Sequence, residues 1–132
     1  MTARQVYRRA LAFINERDGS GAYHADVSDF ELNAPEILNT AITLLLPAQS
    51  IIEGKKIREL DISLEAIKTL DDNIPLCDAL SSGVLPFYLA SVIILEEDSE
   101  RADYFFKLFK ESEERVLKGY SNLNHTSIKN MY

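Results

Sequence analysis

Between Val84 and Leu95 the chain is almost uninterruptedly apolar, broken by Pro86 and Ser91 and ended by Glu96-Glu97-Asp98. At twelve residues the run falls well short of the roughly 20 that cross a bilayer. A helix that is apolar on most sides must instead be surrounded by its neighbours. The run therefore demands a central helix with several amphipathic helices packed around it. Leu80 carries the same pattern back toward Leu76, which predicts a helix over 76–96, roughly 30 Å long at 1.5 Å per residue. Gly83 and Pro86 predict a bend in its first third. With 132 residues the chain is one domain's worth of protein, able to hide roughly two-thirds of its unfolded surface.

The covering helices are readable on either side. Ala3, Val6, Tyr7, Ala10, Leu11, Phe13 and Ile14 recur at three- and four-residue spacing, predicting a helix over about 2–17 with Thr2 as its N-cap. Asp18-Gly19-Ser20-Gly21 ends it, and residues 18–28 form a loop holding Tyr23 and His24. Ser28 or Asp29 then caps a helix over 29–53, with the stripe Phe30, Ala34, Ile37, Leu38, Ala41, Leu44, Leu45, Ala48, Ile51 and Ile52. Pro47 lacks the amide that would bond back to Thr43 and is expected to break or bend that helix; Gly54 ends it. A last helix is predicted over 98–118, capped by Asp98, buried through Ala102, Phe105, Phe106, Phe109, Val116 and Leu117, and stopped at Lys118-Gly119. Residues 120–132 read as a polar tail outside a single helical domain of residues 1–119. The fold class is all-α.

From Lys55 to Pro75 the helical period fades. Ile57, Leu60, Ile62 and Leu64 approach a period of two, so an ordered loop with a short strand pair is expected. Some twenty residues without helix is long for a compact domain, and such loops are often functional.

Charge excludes some functions and suggests others. The net charge is −7, from 14 Lys+Arg against 21 Asp+Glu. A sequence-reading DNA binder needs phosphate-neutralising cations in excess, so that class is set aside. The single cysteine, Cys77, rules out a disulfide framework and fits a reducing compartment. No secretory signal is readable, since Met1–Ala3 leads straight into Arg4, Arg8 and Arg9; an intracellular protein is expected. Residues 18–54 and 71–100 are purely acidic, whereas residues 1–17 carry four arginines against one glutamate. Arg4, Arg8 and Arg9 on one side and Glu96, Glu97 and Asp98 on the other are candidate complementary faces between copies, set against the plainer reading of solvated helix faces.

The catalytic inventory is thin. Cys77 has no local partner and reads as a small core hydrophobe. His24 and His125 lie on a loop and a tail, without the cysteine or carboxylate spacing of a zinc site. Ser81-Ser82-Gly83 lacks the leading glycine and strand of a nucleophile elbow, and there is no phosphate-cradling glycine loop. Asp71-Asp72-Asn73 and Glu96-Glu97-Asp98-Ser99-Glu100 lack the alternate spacing and central glycine of a calcium loop, and read as helix-capping acids. Tyr104, Phe105, Phe106 and Phe109 read as core rather than a base-stacking platform. No enzyme activity, metal or cofactor is expected.

Three stretches carry a resemblance. Leu70-Asp71-Asp72-Asn73-Ile74-Pro75-Leu76, Gly83-Val84-Leu85-Pro86-Phe87-Tyr88-Leu89-Ala90 and Leu95-Glu96-Glu97-Asp98 resemble phage head–tail connector (adaptor) proteins, in particular the small prophage-encoded type of Gram-positive bacteria. Members open with a Thr-Ala-Arg-x-Val-Tyr-like helix, matched by Thr2 to Tyr7, and carry an Ala-Pro-x-Ile-Leu-Asn-Thr-like stretch, matched by Ala34 to Thr40. The likeness extends over most of residues 2–118; Ala41-Ile42-Thr43 and the polar tail depart from it. It implies a helical subunit that joins a ring, typically twelvefold, beneath the portal, extends the DNA channel and receives the next neck or tail protein. It further implies residence in the virion neck, after assembly in the bacterial cytoplasm. The family has no catalytic or cofactor residues to carry over. The alternative from another class is a small helical adaptor or regulator that binds a partner helix in an apolar groove.

Overall fold

The computed structural model describes the backbone of residues 1–18 and 27–130, and the side chains of residues 1–14 and 31–120. Its elements are α1 (Ala3–Asp18), α2 (Val27–Glu53), a 3-10 turn (Ile57–Glu59), α3 (Asp78–Gly83), α4 (Leu85–Ile94) and α5 (Ser99–Asn130). The all-α class stands, with no strand among the described residues. The Tyr23–His24 loop, the Ser28 and Asp29 caps and the side chain of His125 fall outside this description; the helix itself begins at Val27.

The apolar run forms α4, with Leu85, Pro86, Leu89, Ala90, Ile93 and Ile94 buried. Around it pack Val6, Tyr7 and Ala10 of α1, Leu38, Ala41 and Leu45 of α2, and Phe105 and Phe109 of α5. Phe13 of α1 stacks on Phe87 of α4, centroids 4.9 Å apart and 12° from parallel. The expected bend separates α3 from α4: Val84 leaves helical geometry and Pro86 sits in the first turn of α4, where a missing amide breaks no bond.

The start of α1 is a reciprocal cap. Gln5 N–H donates to Thr2 Oγ1 at 3.2 Å, and Thr2 N–H to Gln5 Oε1 at 2.8 Å, a capping box. The other unpartnered amides of the first turn reach the 55–75 segment. Ala3 N–H donates to the Asp72 carbonyl at 2.9 Å and Arg4 N–H to that of Leu70 at 2.8 Å. Ile74 N–H returns a bond to the Met1 carbonyl at 2.8 Å. In place of the expected strand pair there is one antiparallel bridge, Thr2 with Asn73.

Side chains of α2 hold the rest of that segment. Asn39 pairs with both backbone groups of Ile67, its Nδ2 donating at 2.8 Å and its Oδ1 accepting at 2.9 Å, and Ile67 is buried. Buried Gln49 accepts from Cys77 N–H at 3.0 Å and donates to Glu53 at 3.1 Å. The Asp72 carboxylate accepts Lys68 N–H at 2.8 Å and Thr69 N–H at 2.9 Å. These amide bonds, Thr69's first and Lys68's second, hold the Asp72 carboxyl below the usual aspartate range.

Several expectations are corrected. Pro47 does not break α2, which runs unbroken to Glu53; burial of Leu45, Leu46 and Ala48 around it outweighs the roughly 3 kcal/mol that an interior proline costs. The buried face of α2 includes Ile42 and Leu46, while Leu44 and Ile51 are exposed. Phe106 is exposed as well. Gly119 does not stop the last helix, which continues to Asn130, because a glycine costs an established helix only about 1 kcal/mol. Gly54, by contrast, ends α2 as expected. Its φ is +66°, and Gly54 N–H to Ile51 and Lys55 N–H to Ser50 close a Schellman motif.

The two glycines predict opposite outcomes. Gly119→Ala meets open space in a helix and should raise stability by about 0.5–1 kcal/mol; Gly54→Ala, at positive φ, should lower it by about 1 kcal/mol. Denaturant melts of both variants check the contrast, and destabilisation by Gly119→Ala would restore the helix stop. A lowered Asp72 pKa means that its turn stabilises the fold above the ordinary carboxylate pKa and loses that contribution as pH falls through the folded value. NMR titration should show Asp72 titrating below an unstructured aspartate, and a normal or raised midpoint would contradict the turn geometry.

Candidate functional site

The clearest surface feature arises where α4 runs out of partners. One side of α4 meets the core, and the other carries Tyr88, Val92 and, just past its end, Leu95. Opposite them on α5 stand Ala102, Asp103 and Phe106, and the two rows line an open groove of about 220 Å³. Leu95 is 54% exposed and Phe106 42%, so the groove floor and lip are apolar surface left in water.

Aromatic packing fixes its shape. Tyr88 meets Phe109 edge to face at 5.2 Å and lies 6.5 Å from Phe106. Lys110 Nζ stands 5.8 Å from the Phe106 centroid and 5.6 Å from that of Phe109, within cation–π range.

Acids gather in the turn between α4 and α5 for a structural reason. Asp98 caps α5, accepting Arg101 N–H at 3.1 Å, and acids in the turn before a helix and in its first turn complement the helix dipole. Glu96, Glu97, Glu100 and Asp103 are all exposed there. The guanidinium of Arg101 is turned inward instead, donating through Nη2 to the Ile14 carbonyl at 2.9 Å. That bond fastens the C-terminal part of α1 to the start of α5.

The arginines of α1 are distributed differently from the acids. Arg4 Nη2 lies 3.3 Å from Asp71 Oδ1 in an exposed ion pair, and Arg9 donates to the Ser82 carbonyl at 2.9 Å. Arg8 is exposed. Since Ile14 marks the end of α1 nearest the acidic turn, Arg4 sits about 15 Å further along the helix by its rise. Glu96, Glu97 and Asp98 thus lie together in the turn after α4, while two of the three candidate arginines have partners within their own chain.

A second concave surface lies on the 55–75 segment. Leu46, Ile57, Arg58, Asp61, Ile62 and Leu64 line a shallow basin of about 490 Å³. Asp61 turns the chain there at φ +52°, a conformation aspartate adopts more readily than most residues. The 3-10 turn beside it presents Lys55, Lys56, Ile57 and Arg58, all exposed, with Ile57 at 48%.

The reading of the sequence missed Tyr88, Val92, Leu95 and Phe106 as surface, having assigned the apolar run and the aromatic stripe to the core. Spacing carried no clear signal for Phe106, which lies four residues from Ala102 and so on the same face of the helix.

Chemistry is sparse in the described residues. No group of three His, Cys, Asp or Glu side chains could hold a metal ion. Ser81 Oγ is buried and donates to the Cys77 carbonyl at 3.0 Å, and Cys77 is half-buried at the start of α3. No described helix is long and apolar enough to cross a membrane. Comparison with protein-family models, curated proteins and solved structures finds no match for this chain.

Proposed function

We propose that this chain is a non-enzymatic assembly subunit that works by docking protein surfaces, and that its assembly is the head–tail connector of a tailed phage. The observation that carries the docking reading is the groove between α4 and α5, with Leu95 and Phe106 left in water. The resemblance of residues 2–118 to connector proteins supplies the identity of the assembly. On this reading the subunit joins a ring below the portal and offers its outer surfaces to the next neck or tail protein. Rings need heterologous contacts, in which one face of a subunit meets a different face of its neighbour. An acidic turn and separate basic segments on one chain suit that arrangement. The net charge of −7 suits a conduit that DNA must traverse without being gripped.

The groove also suits a partner helix, which is how an adaptor or regulator would use it. The two readings separate on one experiment. Electron microscopy of the protein mixed with a purified portal ring from a related prophage is expected to show an added ring of density on one portal face. Absence of added density at micromolar concentrations contradicts the connector reading and leaves the adaptor.

A further inference from the structure

We infer that the outward face of α2 pairs with the same face of a second copy, the two helices antiparallel about a two-fold axis that passes between Leu44 and Pro47. The inference goes beyond the connector reading and does not depend on it, since a two-fold contact closes at two copies and builds no ring.

The face is defined by what α2 lacks. From Ile37 to Ile52 the helix carries no charged residue, in a chain that is 27% charged. One side of that stretch is buried through Leu38, Ala41, Leu45 and Ala48. The other meets water with Thr40, Thr43, Leu44, Pro47 and Ile51, all exposed, Leu44 at 47% and Ile51 at 53%. Its hydroxyls are satisfied within the helix. Thr40 Oγ1 donates to the Glu36 carbonyl at 3.1 Å and Thr43 Oγ1 to that of Asn39 at 2.9 Å, so neither needs an outside partner. The outward face of a surface helix ordinarily carries charged and polar side chains; this one offers two aliphatic residues, a proline and two threonines already bonded.

Symmetry names the occupant. Thr40, Leu44, Pro47 and Ile51 recur at spacings of four, three and four, the seam of one helix packed along another. That spacing is the same from either end. An antiparallel copy therefore lays seam on seam, with Leu44 opposite Pro47 and Thr40 opposite Ile51, the larger side chain against the smaller in each case.

Charge agrees with this register. It sets Glu36, before the uncharged stretch, opposite Lys55 of the second copy, just past the Gly54 stop, and the two-fold repeats the match. Both residues are exposed, and neither makes an ion pair among the described residues of its own chain. Glu53 does not intrude, since it lies about 160° around the helix from Ile51 and Gln49 of the buried side donates to it at 3.1 Å. Glu59 and Asp61 lie beyond the helix end, on and after the 3-10 turn. A parallel pair would instead oppose Glu36 to Glu36. With a net charge of −7 copies repel, and an uncharged seam lets them approach without setting acid against acid.

The seam from Thr40 to Ile51 is only about 16 Å long, so the pair forms in concentrated protein. Sedimentation velocity of the full chain from about 10 to 500 µM should show a monomer–dimer equilibrium. Leu44→Glu, an exposed change beside the axis, should weaken it about 100-fold with the melting temperature nearly unchanged. Glu36→Lys and Lys55→Glu should each weaken pairing about tenfold, and E36K/K55E should restore it, because each copy then again meets an opposite charge. A wild type that stays monomeric at the highest concentration overturns the inference, as does unchanged association in Leu44→Glu. If Leu44→Glu fails to fold, the charge exchange on two surface residues decides alone. Single variants that weaken pairing while E36K/K55E does not recover it would overturn the antiparallel register and the inference with it.

Discussion

Two carboxamides on one helix hold this fold's long irregular segment to its helices. Asn39 and Gln49 stand ten residues apart on α2, about 15 Å along its axis. The first satisfies both backbone groups of buried Ile67 and the second the amide of Cys77 at the start of α3. A made hydrogen bond adds only about 1 kcal/mol net, but a buried amide left unpaired costs about 1–3 kcal/mol. Their value is therefore mainly in what they forbid. A path that kept Ile67 buried without Asn39 would leave its backbone groups unpaired. The first turn of α1 adds a third fastening, since its free amides bond the carbonyls of Leu70 and Asp72.

Those fastenings explain how a long non-helical segment can serve as a surface. The basic turn at Lys55–Arg58 is held at one end by the glycine stop of α2 and further along by Asn39. The groove between α4 and α5 has a different origin. It forms because the apolar run ends at Leu95 while the aromatic face of α5 continues past Phe105, leaving Leu95 and Phe106 with water on one side.

Much of this was legible locally. The stripe of α1, the Thr2 and Asp98 caps, the Gly54 stop and the Gly83–Pro86 bend each depend on residues within a turn of one another. What was not legible depended on distant partners. The buried face of α2 takes in Ile42 and Leu46 in place of Leu44 and Ile51 because α2 packs against α1, α4, α5 and the 3-10 turn together. Pro47 and Gly119 were read by propensity, and packing or helix continuity outweighed it. Arg4 and Arg9 looked available, yet their partners Asp71 and Ser82 lie 67 and 73 residues away. The groove escaped for the same reason: hydrophobic periodicity shows which side chains avoid water, not which ones lack cover.

Native-state amide hydrogen exchange tests most directly whether the two carboxamides make the 55–75 segment part of the rigid fold. The amides of Ile67 and Cys77 should be protected to the level of core amides such as that of Leu89. Exchange of Ile67 and Cys77 at the rate of an unstructured chain, with Leu89 still protected, would contradict the account.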